Sequence, residues 1–593
     1  MKYFTKWHLI LFLILGVAVS SCQKDDFFNL QDKDLIKNDN SNQLKSNKNL
    51  KGAKKLKNPY SLKNMQKALE NVKTKIKTKT IKVKGNSSQR LEELIEEFEI
   101  GTSHYYVKLT PQNAAEEDAI TADSSMYVFD YPLDYEFTDE YLDNRVPDAD
   151  SIPEYYTSVP VGFELPAISS NILEELYIPE EDPFFDKFET ANESIQEARQ
   201  GEINNNADLL RHLLIEAFTL TNNEDELLGN EDTSTAFWIF GSKWNPSGTL
   251  KIWDDNAGVS TTTTKTFSHW EYYNCDTGDI ISNPNDPLPY DVKMTDENNR
   301  IDINTCQRAI YTYTTNTIQG KYVPLEGAKV LMRQWFTIRK DITDKNGYFR
   351  TGSVRGSARY IIQWERHNFK IRNAWLNQAE KRGPKLKNTA WNYNIKGGKQ
   401  EFYGTIHRAA HHYYYKDIKG LRRPPENGFF RTQLKIKAKY EENSEINANH
   451  AAWRRFLGLG SAIKIYNPQN DTRDIYGTVI HELAHASHWN FDRSDFNDTE
   501  TKVKESWARG VQWELTRMTY PGYRPSYFGD YTGVIQDMVD GVYGYDKVSG
   551  YTIKQIEDAL IHKQSWNAWN INIKNKYYNA TENNLESLFN YWN

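Results

Sequence analysis

The stretch TVIHELAHASHWN, residues 478–490, decides how the C-terminal part of this chain is read. In a helix of about 3.6 residues per turn, His481 and His485 project from one side, one turn apart, and Glu482 follows the first along the same rim. This HExxH spacing sets two imidazole ligands and one carboxylate around a single metal ion. Ile475, Val479, Leu483 and Ala486 fall on the opposite face. The pattern therefore predicts an amphipathic helix with its apolar back on a core and its histidines facing a cleft.

A catalytic zinc keeps three protein ligands and one open position, so a third ligand is sought downstream. Glu505 follows His485 by twenty residues in KVKESWARGVQWEL. Val503, Trp507, Val511, Leu515 and Met518 form the apolar stripe of a second helix there, and Glu505 lies well round from it beside the small Ala508. Glu514 falls within the stripe and is the runner-up, and Glu500 is a weaker candidate. His488 shares the histidine face, but the stretch lacks the glycine and third histidine of a metzincin.

HExxH with a distant glutamate resembles the gluzincin metallopeptidases. The resemblance implies Zn²⁺ held by His481, His485 and Glu505, with Glu482 as general base toward metal-activated water attacking a peptide carbonyl. One departure matters. The thermolysin-like pattern has an aspartate four residues after the glutamate ligand, where this chain has Arg509. The carboxylate that orients the first histidine is therefore sought among Asp537, Asp540 and Glu514. A donor to the tetrahedral oxyanion is sought in the stretch holding Tyr520, Tyr523, Tyr527 and Tyr531, with Arg524 among them.

Strands are expected in RTQLKIKAKY and in SAIKIYNP just before the HExxH helix. A strand leading into the metal helix is similar to the gluzincin plan, in which an edge strand holds extended substrate by backbone pairing. His407 and His411 lie four apart in a helical stretch, 404–418, without a neighbouring acid, and take a structural role. Helices are expected in VIQDMVDGVYG, IKQIEDALIHK and NNLESLFNYW, with His562 peripheral.

Upstream, the order PLEGAKV, TDKNGYF and FKI (324–371) resembles the carboxypeptidase regulatory-like domain, a transthyretin-like β-sandwich of accessory role. Its Asn346-Gly347 suits a turn with positive φ. Residues 234–313 are rich in Trp, Tyr and Thr, punctuated by Asn-Pro, Asp-Pro and Gly, and predict strands with turns. Between Lys51 and Gly85 a dozen lysines stand against one glutamate, so that region reads as a tether.

At the start, Lys2 and Lys6 precede an apolar run, 9–19, too short to span a bilayer. Its end, Val19-Ser20-Ser21-Cys22, resembles a bacterial lipobox with Cys22 lipidated. Gln23-Lys24-Asp25-Asp26 resembles the acidic tag of Bacteroidetes surface lipoproteins. This implies a lipid anchor in the outer membrane, with the chain exposed at the cell surface. The three cysteines leave Cys275 and Cys306 beyond Cys22, either bridged across about thirty residues or present as two thiols. A net charge of −7 is small for 593 residues and argues against nucleic acid as a partner.

The expected architecture is multidomain: β-rich accessory domains, including a β-sandwich, followed by an α+β zincin-like metallopeptidase domain. In order these are a lipoprotein signal peptide (1–22), a disordered Lys/Asn-rich tether (23–89), an N-terminal α+β region (90–233), a β-rich region (234–319), the regulatory-like sandwich (320–375), a linker (376–400) and the zinc peptidase domain (401–593). Protein or peptide is the expected substrate. The alternative is a non-catalytic binding or adhesion lipoprotein in which the zinc is structural.

Overall fold

The structure is a computed structural model and describes residues 52–84, 88–122, 125–138, 141–142, 152–186, 202–224, 226, 243–258, 263–274, 305–315, 320–373, 377–427, 433–440, 448–450, 462–466, 471–540 and 547–593. The leader, Cys22 and Cys275 lie outside them. The chain divides into two compact units, Met1–Lys54 and Lys55–Asn593, and the second carries every element named below. It is mixed α/β, with strands in several sheets.

Helix α1 (Leu62–Lys77) lies inside the segment expected to be a tether. Ser61 caps it by accepting from the Asn64 N–H, and Met65, Ala68, Leu69 and Val72 are buried at i, i+3, i+4 and i+7. Its lysines occupy the other face, so a high lysine count hid an amphipathic helix. It packs on α2 (Asn206–Leu220), whose N-cap Asn205 accepts from the Asp208 N–H. Between them in sequence, β1 (His104–Leu109) pairs antiparallel with β2 (Tyr155–Pro160) and β3 (Ser170–Leu176).

The middle of the chain forms two four-stranded sheets and a ribbon. In the first sheet, β4 (Ser247–Asp254) pairs antiparallel with β7 (Lys321–Pro324) and β10 (Tyr348–Arg350), and parallel with β15 (Trp391–Ile395). The ribbon joins β5 (Thr263–Asn274) and β6 (Thr305–Thr315). In the second sheet, β8 (Lys329–Gln334) lies between β9 (Thr337–Ile342) and β11 (Ala358–Gln363), and β11 continues to β14 (Glu380–Leu386). The expected turn is present: Asp344 Oδ1 accepts from the N–H groups of Asn346 and Tyr348, and Gly347 has φ +76°. A Cβ at Gly347 would stand 2.2 Å from the Leu250 carbonyl oxygen, so that position needs glycine.

Residues 376–400, expected to be a linker, instead supply β14 and β15. In WNYNI, Trp391 and Ile395 are buried while Asn392 and Asn394 are exposed, the two-residue alternation of a strand. The following sheet also crosses the expected domain boundary. Strands β12 (Glu365–Arg366) and β13 (Phe369–Arg372) join β16 (Leu434–Lys439), β17 (Ala448–His450) and β18 (Ala462–Tyr466) in the order β12-β13-β16-β18-β17. Strands β13, β16 and β18 are parallel, and the two edges, β12 and β17, run antiparallel to their neighbours.

The helices of the C-terminal part are α3 (Gly398–Tyr415), α4 (Thr472–Phe491), α5 (Thr501–Thr519), α6 (Val534–Asp540), α7 (Ile553–Leu560), α8 (Trp566–Lys576) and α9 (Leu585–Tyr591). Helix α4 packs against both α3 and α5. A single core joins these helices to the sheets, running through Ile252, Val330, Tyr360, Ile436, Val479, Trp507 and Trp569. Two consecutive acids at the end of β4 fasten them together. Fully buried Asp254 accepts from Arg408 Nη1 of α3 and from Tyr520 Oη after α5, each at 2.8 Å. Asp255 Oδ1 accepts the Thr472 N–H of α4 at 3.0 Å.

Candidate metal centre

Helix α4 starts at Asp471, whose Oδ1 accepts the Asp474 N–H at 2.8 Å. Val479, Leu483 and Ala486 are buried as expected, but His481, Glu482, His485 and His488 are buried as well. The helix is enclosed nearly all round, because α3 and α5 cover the face that a simple amphipathic pattern leaves to solvent. On α5, Val503, Trp507, Val511 and Leu515 are buried, while Met518 is 40% exposed at the last turn.

The two helices bring three ligand atoms together. Glu505 Oε2 is 3.1 Å from His481 Nε2 and 3.2 Å from His485 Nε2, and the two Nε2 atoms are 3.2 Å apart. Three hydrogen bonds cannot close such a triangle, since each imidazole Nε2 carries at most one proton and the ionised carboxylate carries none. Ligands at about 2.0–2.1 Å from a tetrahedral ion would stand about 3.3 Å apart, so His481, His485 and Glu505 fit the coordination of one metal ion.

Burial pushes the His481 imidazole down to about 4. It acts the same way on His485, but adjacent Glu505 overrides it and lifts that imidazole above its ordinary value. For Glu505 burial opposes ionisation, and the two imidazoles overcome it, holding the carboxyl far below the usual carboxylate range. All three groups are thus set by one another. Glu482 differs: enclosed, with Oε2 lacking a hydrogen-bond partner among the described residues, its carboxyl is pushed by burial up to about 7.

The expected supporting residues sit elsewhere. Glu514 is buried but paired with Lys419 at 2.5 Å and Arg517 at 2.5 Å. Asp537 Oδ2 accepts from Trp592 Nε1, and Asp540 Oδ2 accepts from Gln536. None of the three reaches His481, whose buried Nδ1 has no hydrogen-bond partner among the described residues. Glu500 accepts the Trp566 N–H. Of the tyrosines, Tyr520 donates to Asp254, Tyr523 accepts from Gln512 Nε2 at 2.7 Å, and Tyr527 donates to Gln536. These engagements join positions far apart in the chain or on other helix faces, which spacing alone does not reveal.

Tyr531, by contrast, lies on the cluster, its ring 5.8 Å from that of His481. Burial and then the Glu505 carboxylate hold its hydroxyl up to about 12. The Arg509 guanidinium also lies over this ring, 4.6 Å from its centroid. The residue that departs from the thermolysin-like pattern is therefore part of the surroundings of the site. His488 is wholly buried between Phe491 and Phe496, with neither ring nitrogen hydrogen-bonded among the described residues, and burial pushes it down to about 3. His407 Nε2 meets the Gly327 carbonyl at 3.1 Å, a structural contact between α3 and the sheets.

No family model and no curated protein matches the chain. Among the described residues no helix is long and apolar enough to cross a membrane.

Proposed function

We propose that the chain is a zinc-dependent peptidase of gluzincin type, anchored at the bacterial surface by lipid on Cys22. The observation that carries the reading is the near-equilateral ligand triangle, 3.1–3.2 Å on each side, with a buried carboxyl next to it. His481, His485 and Glu505 would hold Zn²⁺, which when bound would supply Lewis acidity toward a peptide carbonyl and a water. Glu482, enclosed beside the three ligands, would take a proton from that water and return it to the departing amine. Arg509 and Tyr531 place positive charge and a hydroxyl donor where negative charge develops on the substrate. Strand β17, the sheet edge in contact with α4, pairs with an extended peptide through its backbone.

In this reading the C-terminal part is a zincin-like domain, and the sheets around β4 and β8 are the regulatory-like sandwich that supports it. A structural zinc closes its shell with four protein ligands, whereas three converge here among the described residues. The test is zinc content by mass spectrometry and hydrolysis of mixed protein substrates, for wild type and Glu482→Gln. Zinc retained with hydrolysis lost is the expected result. A variant that keeps both overturns the mechanism.

A further inference from the structure

Helix α4 ends at a second group of metal-ligating side chains. Asp492 is its C-cap, and its carboxylate is enclosed, the residue being 1% exposed. Oδ2 accepts the His562 backbone N–H at 2.9 Å. Oδ1 is buried and has no hydrogen-bond partner among the described residues, although His562 Nδ1 stands only 3.0 Å away. The reason lies in proton count. Nδ1 carries at most one proton, and Asp495 Oδ2 lies closer, at 2.7 Å. Two carboxylate oxygens and one ring nitrogen thus converge, and the single Nδ1 proton cannot serve both carboxylates.

The charge points the same way. Two carboxylates sit at the C-terminal end of a 20-residue helix, where the macrodipole is itself negative. A divalent cation there would cancel the carboxylates and favour the helix end as well. Ligands at about 2.1 Å on neighbouring vertices of an octahedral ion are about 3.0 Å apart, close to the 2.7 and 3.0 Å from Nδ1 to the two aspartates. Access exists too, since the His562 side chain is 63% exposed.

We propose that Asp492, Asp495 and His562 form a second divalent-cation site, separate from the His481–His485–Glu505 group. One imidazole with two carboxylates suits a first-row transition ion of the Zn²⁺ or Mn²⁺ kind. Bound there, the ion ties the end of the HExxH helix to the turn after α7, about seventy residues further along. It serves as a clip on the ligand-bearing helix and takes no part in hydrolysis.

The experiment counts metal on the full chain after chelation and dialysis against Zn²⁺. Wild type is expected to hold two ions per chain, and His562→Ala, Asp495→Asn and His481→Ala one each. Zn²⁺ should raise the melting temperature of His481→Ala and leave that of His481→Ala/His562→Ala unmoved. Asp495→Asn keeps the side-chain size and an acceptor oxygen, so it reports on the site even where His562→Ala disturbs folding. A single ion in wild type, lost in His481→Ala and kept in both other variants, overturns the second site and leaves the first. A single ion lost only in Asp495→Asn and His562→Ala supports the second site while removing the first.

Discussion

The Arg509 guanidinium stands 4.6 Å over the ring of Tyr531, which in turn lies 5.8 Å from the ring of His481. An arginine therefore occupies the helix position where a thermolysin-like site has an acid, and it holds a tyrosine against the ligand cluster. Tyr531→Phe removes a tyrosine hydroxyl that the structure sets beside Glu505. Zinc should be retained while kcat falls about a hundredfold, the scale of losing one oxyanion donor. Tyr527→Phe, whose hydroxyl is engaged with Gln536, serves as the comparison and should change kcat little. Equal kcat for Tyr531→Phe and wild type would remove Tyr531 from the chemistry.

Glu482→Gln keeps the size of the side chain and leaves the three ligand atoms in place. Hydrolysis should drop by about 10²–10⁴, the usual worth of a positioned general base, at unchanged zinc content. Glu505→Ala should do the reverse first, losing stoichiometric zinc because two imidazoles remain alone. Zinc retained with unchanged affinity in Glu505→Ala would exclude it as the third ligand.

The metal-free protein carries a pH signature. Its Glu482 carboxyl lies at about 7 against an ordinary 4.5, so the folded state binds this proton more tightly than the unfolded state. That contribution is whole below about 4.5 and is lost as pH rises through 7, a spread of about 3 kcal/mol. Glu482→Gln lacks it. Urea denaturation after chelation should therefore find the variant gaining on wild type as pH rises, and a constant gap would contradict the burial argument.

Asp254→Asn should destabilise by about 3–5 kcal/mol, because it leaves Arg408 buried without its carboxylate. Chemical denaturation measures this directly. A loss below about 1 kcal/mol would mean that Arg408 finds another partner or water.

The convergence of His481, His485 and Glu505 was legible because their relation is local. His481 and His485 are one helical turn apart, and Glu505 follows at a spacing that a helix–turn–helix can close. The supporting residues were not legible, since their partners are set by tertiary contact: Tyr520 meets Asp254, and Glu514 meets Lys419. Where composition and periodicity conflict, the periodicity marks the element. The buried Met65-Ala68-Leu69-Val72 stripe lay among lysines, and the alternation in Trp391–Ile395 followed a basic Gly-Pro stretch. Sheet order is a further case, because β13 pairs with β16 across more than sixty residues.

Asp254 and Asp255 are neighbours at the tip of one strand, yet between them they hold the start of the HExxH helix, the end of its partner and the helix before both. A gene fragment beginning at residue 401 would encode His481, His485 and Glu505 and none of these acceptors. The C-terminal helices are therefore not a cassette that recombination could move alone, and the smallest fragment worth expressing begins before Ser247.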